Sequence, residues 1–206
     1  MISSPARIGG TCALALLAAS TLLACDDAGG GAVADAGGDG TLAVDAAVDG
    51  PPIVGEPPGL EGTTAAHNAA RAQVGVGPLT WDPALAAIAA AWAAQCIDRD
   101  APIGLIDHNP GRSNGYPTYV GENIYGAGGQ ATGTDAVALW VSEKANYDRA
   151  TNTCASGRVC GHYTQVVWRN TTKVGCALHN CPGLQYGASV VCDYGPGGNI
   201  GGQAPY

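Results

Sequence analysis

The sequence predicts an α+β domain in which amphipathic helices precede a small antiparallel sheet. Two patterns carry that reading. Apolar residues recur at helical spacing around positions 60–74, 82–96 and 134–147, whereas residues 162–168, 173–179 and 185–194 alternate apolar with polar at period two. A third observation sets the limits of the domain. All four tryptophans and all eight tyrosines lie beyond residue 58, so residues 59–206 hold the bulk for a core and are long enough to build one.

Residues 1–24 read as an export signal. Arg7 precedes an almost uncharged run over residues 12–23, about a dozen residues where a bilayer span needs about 20. The run ends in Leu22-Leu23-Ala24-Cys25, which resembles a bacterial lipobox. That resemblance implies a lipoprotein signal peptide cut before Cys25, diacylglycerol on the Cys25 sulfur, and anchorage in a membrane of the cell envelope by more than one acyl chain. Residues 25–58 then collapse to Gly, Ala, Asp, Val and Pro, with no aromatic and no basic side chain. Such a segment cannot bury a core and is expected to be a disordered tether with a reach on the order of 30 Å. Asp26, Asp27, Asp35, Asp39, Asp45, Asp49 and Glu56 lie in it, so most of the net charge of −8 belongs to the tether. The domain is nearly neutral, and without a basic stripe nucleic acid is excluded as a partner.

Within the domain, Leu60, Thr64, His67, Arg71 and Val74 fall at helical spacing, with Gly75 and Gly77-Pro78 as stop signals. Asp82 followed by Pro83 opens a second helix with the stripe Leu85, Ile88, Trp92 and Cys96. Residues 97–119 read as a long loop and 121–125 as a short extended piece. A third helix starts near Thr134-Asp135, and its face Ala136, Trp140, Glu143, Tyr147 puts a carboxylate on an apolar stripe, where it needs a partner. In residues 161–171 the β-formers predict a strand with His162, Thr164, Val166 and Trp168 on one face. The strands at 173–179 and 185–194 complete the sheet, separated by Asn180-Cys181-Pro182-Gly183.

Eight cysteines are present; beyond Cys12 and Cys25, Cys96, Cys154, Cys160, Cys176, Cys181 and Cys192 form an even set that an exported chain converts to disulfides. Six cysteines allow fifteen pairings, among which the spacing alone does not choose. No CxxC pair marks a structural zinc site.

Four ordered motifs together resemble the CAP superfamily, the SCP-domain group of cysteine-rich secretory proteins, venom antigens and pathogenesis-related 1 proteins. His67-Asn68-Ala69-Ala70-Arg71 is similar to its HNxxR motif, Gly121-Glu122-Asn123-Ile124 to its GEN motif, residues 161–171 to its GHYTQ signature, and residues 196–206 to its PxGN…PY ending. The resemblance implies a three-layer α-β-α sandwich around a small antiparallel sheet. It also implies a surface cleft holding His108, Glu122, Glu143 and His162, with disulfides Cys154–Cys160, Cys96–Cys181 and Cys176–Cys192. This chain departs from the family in having Asn109 where a serine usually follows the histidine, and Asp193 where asparagine is usual. The resemblance places His67 in the packing motif rather than the cleft.

Two imidazoles and two carboxylates can hold Zn2+ or another divalent metal, with His108 and His162 as ligands and Glu122 and Glu143 available beside them, or can brace the cleft by bonding one another. Three functions are compatible with that set. The favoured one is an extracytoplasmic, lipid-anchored binding module for a lipid, sterol, peptide or protein ligand, expected as a monomer. A metal-dependent hydrolase or protease is the second, although no nucleophile elbow, HExxH or unpaired domain cysteine supplies a covalent agent. A disulfide-stabilised structural envelope protein is the third. For the anchor, Cys25→Ala is expected to abolish palmitate labelling and release the protein from the membrane fraction; unchanged labelling would contradict it.

Overall fold

The computed structural model describes residues 55–101 and 103–206, so the export signal, Cys25 and the tether up to residue 54 lie outside the described residues. The tether's last four residues, 55–58, are described, and they lie against the domain. Glu56 accepts the backbone N–H groups of Gly62 (2.7 Å) and Thr64 (2.6 Å). This matters for helix α1 (Thr63–Ala72), because its N-cap, Gly62, has no side chain to cap with. A carboxylate from six residues upstream takes over that function and also suits the positive end of the helix.

Strand β1 (Thr80–Trp81) leads into α2 (Pro83–Ala93), where Asp82 accepts from Ala84 and Leu85 and Pro83 occupies the first turn. The buried stripe of α2 is Leu85, Ala89 and Ala93; Ile88, Trp92 and Cys96 flank it half-buried. The alanines win the central positions because α2 lies close on the sheet. A Cβ at Gly175, in the strand formed by Lys173–Asn180, would run into the backbone of the first turn of α2, and only small side chains fit under such an approach. After the long loop come β2 (Gly121–Ala127) and α3 (Gly133–Ser142), the latter capped by Thr132 through the N–H of Asp135. A 3-10 turn over Glu143–Asn146 follows, then a short hairpin of β3 (Tyr147–Asp148) and β4 (Thr153–Cys154).

The 161–171 run is the main departure from expectation. Residues Gly161–Val166 form a helix, α4, and not a strand. Its Tyr, Thr and Val residues favour strands, but tertiary bonds hold the turn at both ends. Glu143 accepts two first-turn N–H groups at the start. Past the end, the Arg71 guanidinium donates to the carbonyls of Val166 (2.9 Å), Trp168 (2.9 Å) and Thr171 (2.8 Å), and its Nε to Gly77 (2.6 Å). Propensity differences of a few tenths of a kcal/mol per residue lose to such bonds.

The sheet runs β1-β5-β6-β2, with β5 (Lys173–Asn180), β6 (Ala188–Gly195) and β2 antiparallel and the two-residue β1 parallel to β5. The third expected strand therefore begins at Ala188, three residues later than the alternation starts. Every residue of β6 is buried, because period two sends successive side chains into two cores. Val190, Cys192 and Tyr194 join Trp140, Tyr163 and Val166 under α1, α3 and α4, whereas Val191 joins Ala89, Ala93, Ile106 and Ile124 under α2. The result is a three-layer sandwich with the sheet in the middle. Disulfides pin the layers: Cys96–Cys181 ties the end of α2 to the end of β5, Cys176–Cys192 crosses β5 to β6, and Cys154–Cys160 closes the loop into α4. No helix among the described residues is long and apolar enough to cross a membrane.

Arg71 is 1% exposed and faces carbonyl oxygens, with no carboxylate paired to it among the described residues. Burial pulls its guanidinium down to about 10, so it stays charged at neutral pH. Arg71→Met keeps the stem and strands those carbonyls, and is expected to cost about 3 kcal/mol or more in chemical denaturation. A loss below about 1 kcal/mol would mean that α4 does not depend on this anchor.

Candidate functional site

The site is built across β2, an edge strand whose successive side chains leave on opposite faces. Glu122 faces the α2 layer and Asn123 the layer of α3 and α4. Glu122 Oε1 accepts from His108 Nδ1 (2.6 Å) and from the backbone N–H of Asn109 (2.9 Å). Asn123 donates to the carbonyl of His162 (3.1 Å) and to the Tyr194 hydroxyl (3.1 Å). One strand thus holds both halves of the site in register.

His162 sits in the first turn of α4. Its Nδ1 lies 2.6 Å from Glu143 Oε1, while Glu143 Oε2 accepts the N–H of His162 (3.0 Å) and of Tyr163 (3.2 Å). Helical spacing puts Glu143 on the apolar stripe of the third helix. Instead α3 ends at Ser142, and Glu143 begins the 3-10 turn, from which its carboxylate reaches α4. The ring partner of His162 is accordingly Trp140, stacked at 6.3 Å between centroids and 18° between planes, and not Trp168 as a strand would have it. Trp140 is itself fixed by its Nε1–H on the carbonyl of Ile124.

His108 arrives on the long loop, and what holds that loop is not legible in the chain's local pattern. Arg112 donates to the carbonyls of Val120 and Asn109 and lies over the Tyr119 ring, folding 109–120 back onto the start of β2. Asn109 Oδ1 accepts from Gly111 N–H, an Asx turn that a serine would make more weakly. On the other side, Trp92 Nε1 donates to the carbonyl of Asp107, and the Asp107 carboxylate gathers the N–H groups of Arg99 and Asp100.

Both histidines line one cavity of about 370 Å3. Its wall is apolar, from Leu105, Ile106, Ile124 and Val159, with Asp100 and Asp107 at the margin. Neither Glu122 nor Glu143 lines it. The glutamates are spent on the rings and the backbone, so they orient the histidines and do not themselves reach a ligand in the cavity. A carboxylate can only accept, so in the neutral form of each imidazole Nδ1 carries the proton and Nε2 keeps its lone pair, the tautomer suited to a metal.

His67 is apart from all this. Its Nδ1 meets the Thr63 carbonyl and its Nε2 the Tyr194 hydroxyl, both at 2.8 Å, and burial pushes it down to about 4. It is neutral at neutral pH, and the stability its burial brings is present above about 6.5 and lost as pH falls towards 4. Cys96, His179 and Cys181 bring potential ligand atoms within 4.8 Å of one another, but the two sulfurs are bonded together and offer no thiolate.

A family model described as the cysteine-rich secretory protein family, CAP, matches residues 64–194, which takes in both histidines and both glutamates. The chain belongs to that family. Pathogenesis-related protein 1B of Nicotiana tabacum is similar at 49% identity over 142 residues, 68% of this chain and 77% of the relative. Among solved structures, the Schistosoma mansoni venom allergen-like protein 4 covers 73% of this chain and 94% of its own at 25% identity and a TM-score of 0.58. The crystal structure of NaASP2 with Zn2+ covers 70% of this chain and 82% of its own at 25% identity and a TM-score of 0.54. These CAP neighbours share the sandwich, and the pathogenesis-related relatives are plant proteins rather than bacterial lipoproteins.

Proposed function

We propose that this CAP domain is an extracytoplasmic binding module, tethered through a lipidated Cys25, whose cleft holds a divalent ion between His108 and His162. One observation carries the reading. Two imidazoles line the same cavity with Nδ1 of each committed to a carboxylate, which leaves the Nε2 of each ring available as a donor. A borderline ion such as Zn2+ suits neutral imidazoles, with water or a ligand group completing its coordination. That the similar NaASP2 was crystallised with Zn2+ supports the same choice. Three disulfides suit an oxidising compartment, in keeping with the signal at residues 1–24.

The cavity is at the small end for a ligand site. Its apolar wall would take the hydrocarbon part of a lipid, sterol or peptide side chain, and the ion a polar or anionic group at the margin. Among the described residues no hydroxyl or thiol lines it, and both glutamates are engaged, so the site favours binding over covalent catalysis.

Zinc added to the intact chain should raise its melting temperature, since an ion at 100 times its Kd contributes about 2.7 kcal/mol to the native state. The shift should vanish in His162→Ala and His108→Ala, persist in His179→Ala, and shrink in acid, where protons compete for Nε2. Scanning calorimetry that finds no shift in the wild-type protein at neutral pH would end the metal reading and leave the histidines as braces.

A further inference from the structure

Glu122 and Asp193 stand directly opposite one another on the β2–β6 ladder, so their side chains share a face and meet beneath α2. Asp193 is fully buried, and among the described residues neither of its carboxyl oxygens has a hydrogen-bond partner. Glu122 Oε2 is orphaned in the same place, its other oxygen being taken by the His108 ring and the Asn109 amide. Three buried acceptor oxygens without a donor are costly, and two facing carboxylates cannot both be charged there. A single proton removes the charge conflict and partners two of the three oxygens. We propose that Asp193 is held as a carboxylic acid that donates to Glu122 Oε2, and that this acid–carboxylate pair is the positioning device for His108.

The assignment of the proton to Asp193 follows from what surrounds each group. Glu122 has two N–H donors to sustain a charge, and Asp193 has none. Across the other ladder Asp193 faces Gly175, which brings no polar group. At the start of α2, Asp82 is already bonded to Lys173 and the Tyr116 hydroxyl. Arg112 alone pulls the other way, and burial together with Glu122 outweighs it, raising the Asp193 carboxyl to about 8. With the acid in place, Glu122 is pinned through both oxygens, and the half-exposed His108 ring, which has no stacking partner comparable to Trp140, keeps its orientation. Loss of the proton would set two carboxylates against each other and let the Glu122–His108 clamp move.

The pair deepens the reading of the cleft as a metal or ligand site and rests on it for its use, but its chemistry needs no metal. It is therefore tested on the metal-free intact chain by 13C and 15N NMR. The Asp193 carboxyl is expected to be protonated at pH 7 and its 13C resonance to titrate near pH 8, and the His108 nitrogens to shift through the same transition while those of His162 do not. Asp193→Asn, whose amide can donate at any pH, is expected to fold, to keep the His108 signals of the wild type at pH 7 and to lose the transition. In stability, the proton is bound by the folded chain alone between about pH 4 and 8. The wild-type folding constant should therefore fall relative to that of Asp193→Asn by up to about tenfold per pH unit across that window. An Asp193 carboxyl already ionised at pH 7 would overturn the acid assignment. An Asp193 that titrates near 8 with no response at His108 would overturn the positioning role. Either result stands whatever zinc does, so failure here is separable from failure of the metal site.

Discussion

A carboxylate that bonds a histidine ring and a backbone N–H at the same time is the constraint on which this domain turns, and it occurs twice. Glu143 takes the His162 ring and two first-turn N–H groups of α4, those of His162 and Tyr163. Glu122 takes the His108 ring and the N–H of the next residue. In each case one charge settles both where the chain goes and how the ring turns. Side chain and backbone are fixed by a shared acceptor, so the imidazole cannot rotate without giving up a local bond. Such coupling is what a preorganised donor site requires.

The short helix α4 shows how much depends on it. Six residues are too few for a stable helix alone, and these are poor helix formers. Glu143 holds the first turn and Arg71 draws in the carbonyls of the last residue and of those just beyond it, while Gln165 bonds the Gly198 N–H and Thr171 from inside. The element bearing His162 is thus built by tertiary bonds from α1, the turn after α3, and the C-terminal segment. Edge strand β2 links this half to the other by sending Asn123 one way and Glu122 the opposite way. Rigidity at the histidines comes from the core.

Local signals announce most of the scaffold. The Asp82-Pro83 start of α2, the alternation of β5 and β6, and the even cysteine set of an exported chain are read residue by residue, and the family motifs bring out the sandwich. What stayed hidden was non-local. Nothing in His162-Tyr163-Thr164-Gln165-Val166 says helix, since the acceptor that caps it comes from Glu143, nineteen residues earlier. Glu143 falls on a helical stripe only because a 3.6-residue period continues on paper past Ser142, where the chain in fact tightens into a 3-10 turn. The roles of Arg112 and Glu56 rest on partners set by the fold, and the pairing of Asp193 with Glu122 follows only from strand register. The alanine stripe of α2 was masked by the larger Ile88 and Trp92, which look like core residues until Gly175 shows how near the sheet lies.

The central claim is that each carboxylate fixes its histidine as the Nδ1–H tautomer with Nε2 left as a donor to the cleft. Long-range 15N–1H correlation spectra of the metal-free protein at neutral pH read this directly. The account predicts that His108 and His162 both carry their proton on Nδ1. Spectra showing either ring protonated on Nε2, or exchanging between tautomers, would contradict it.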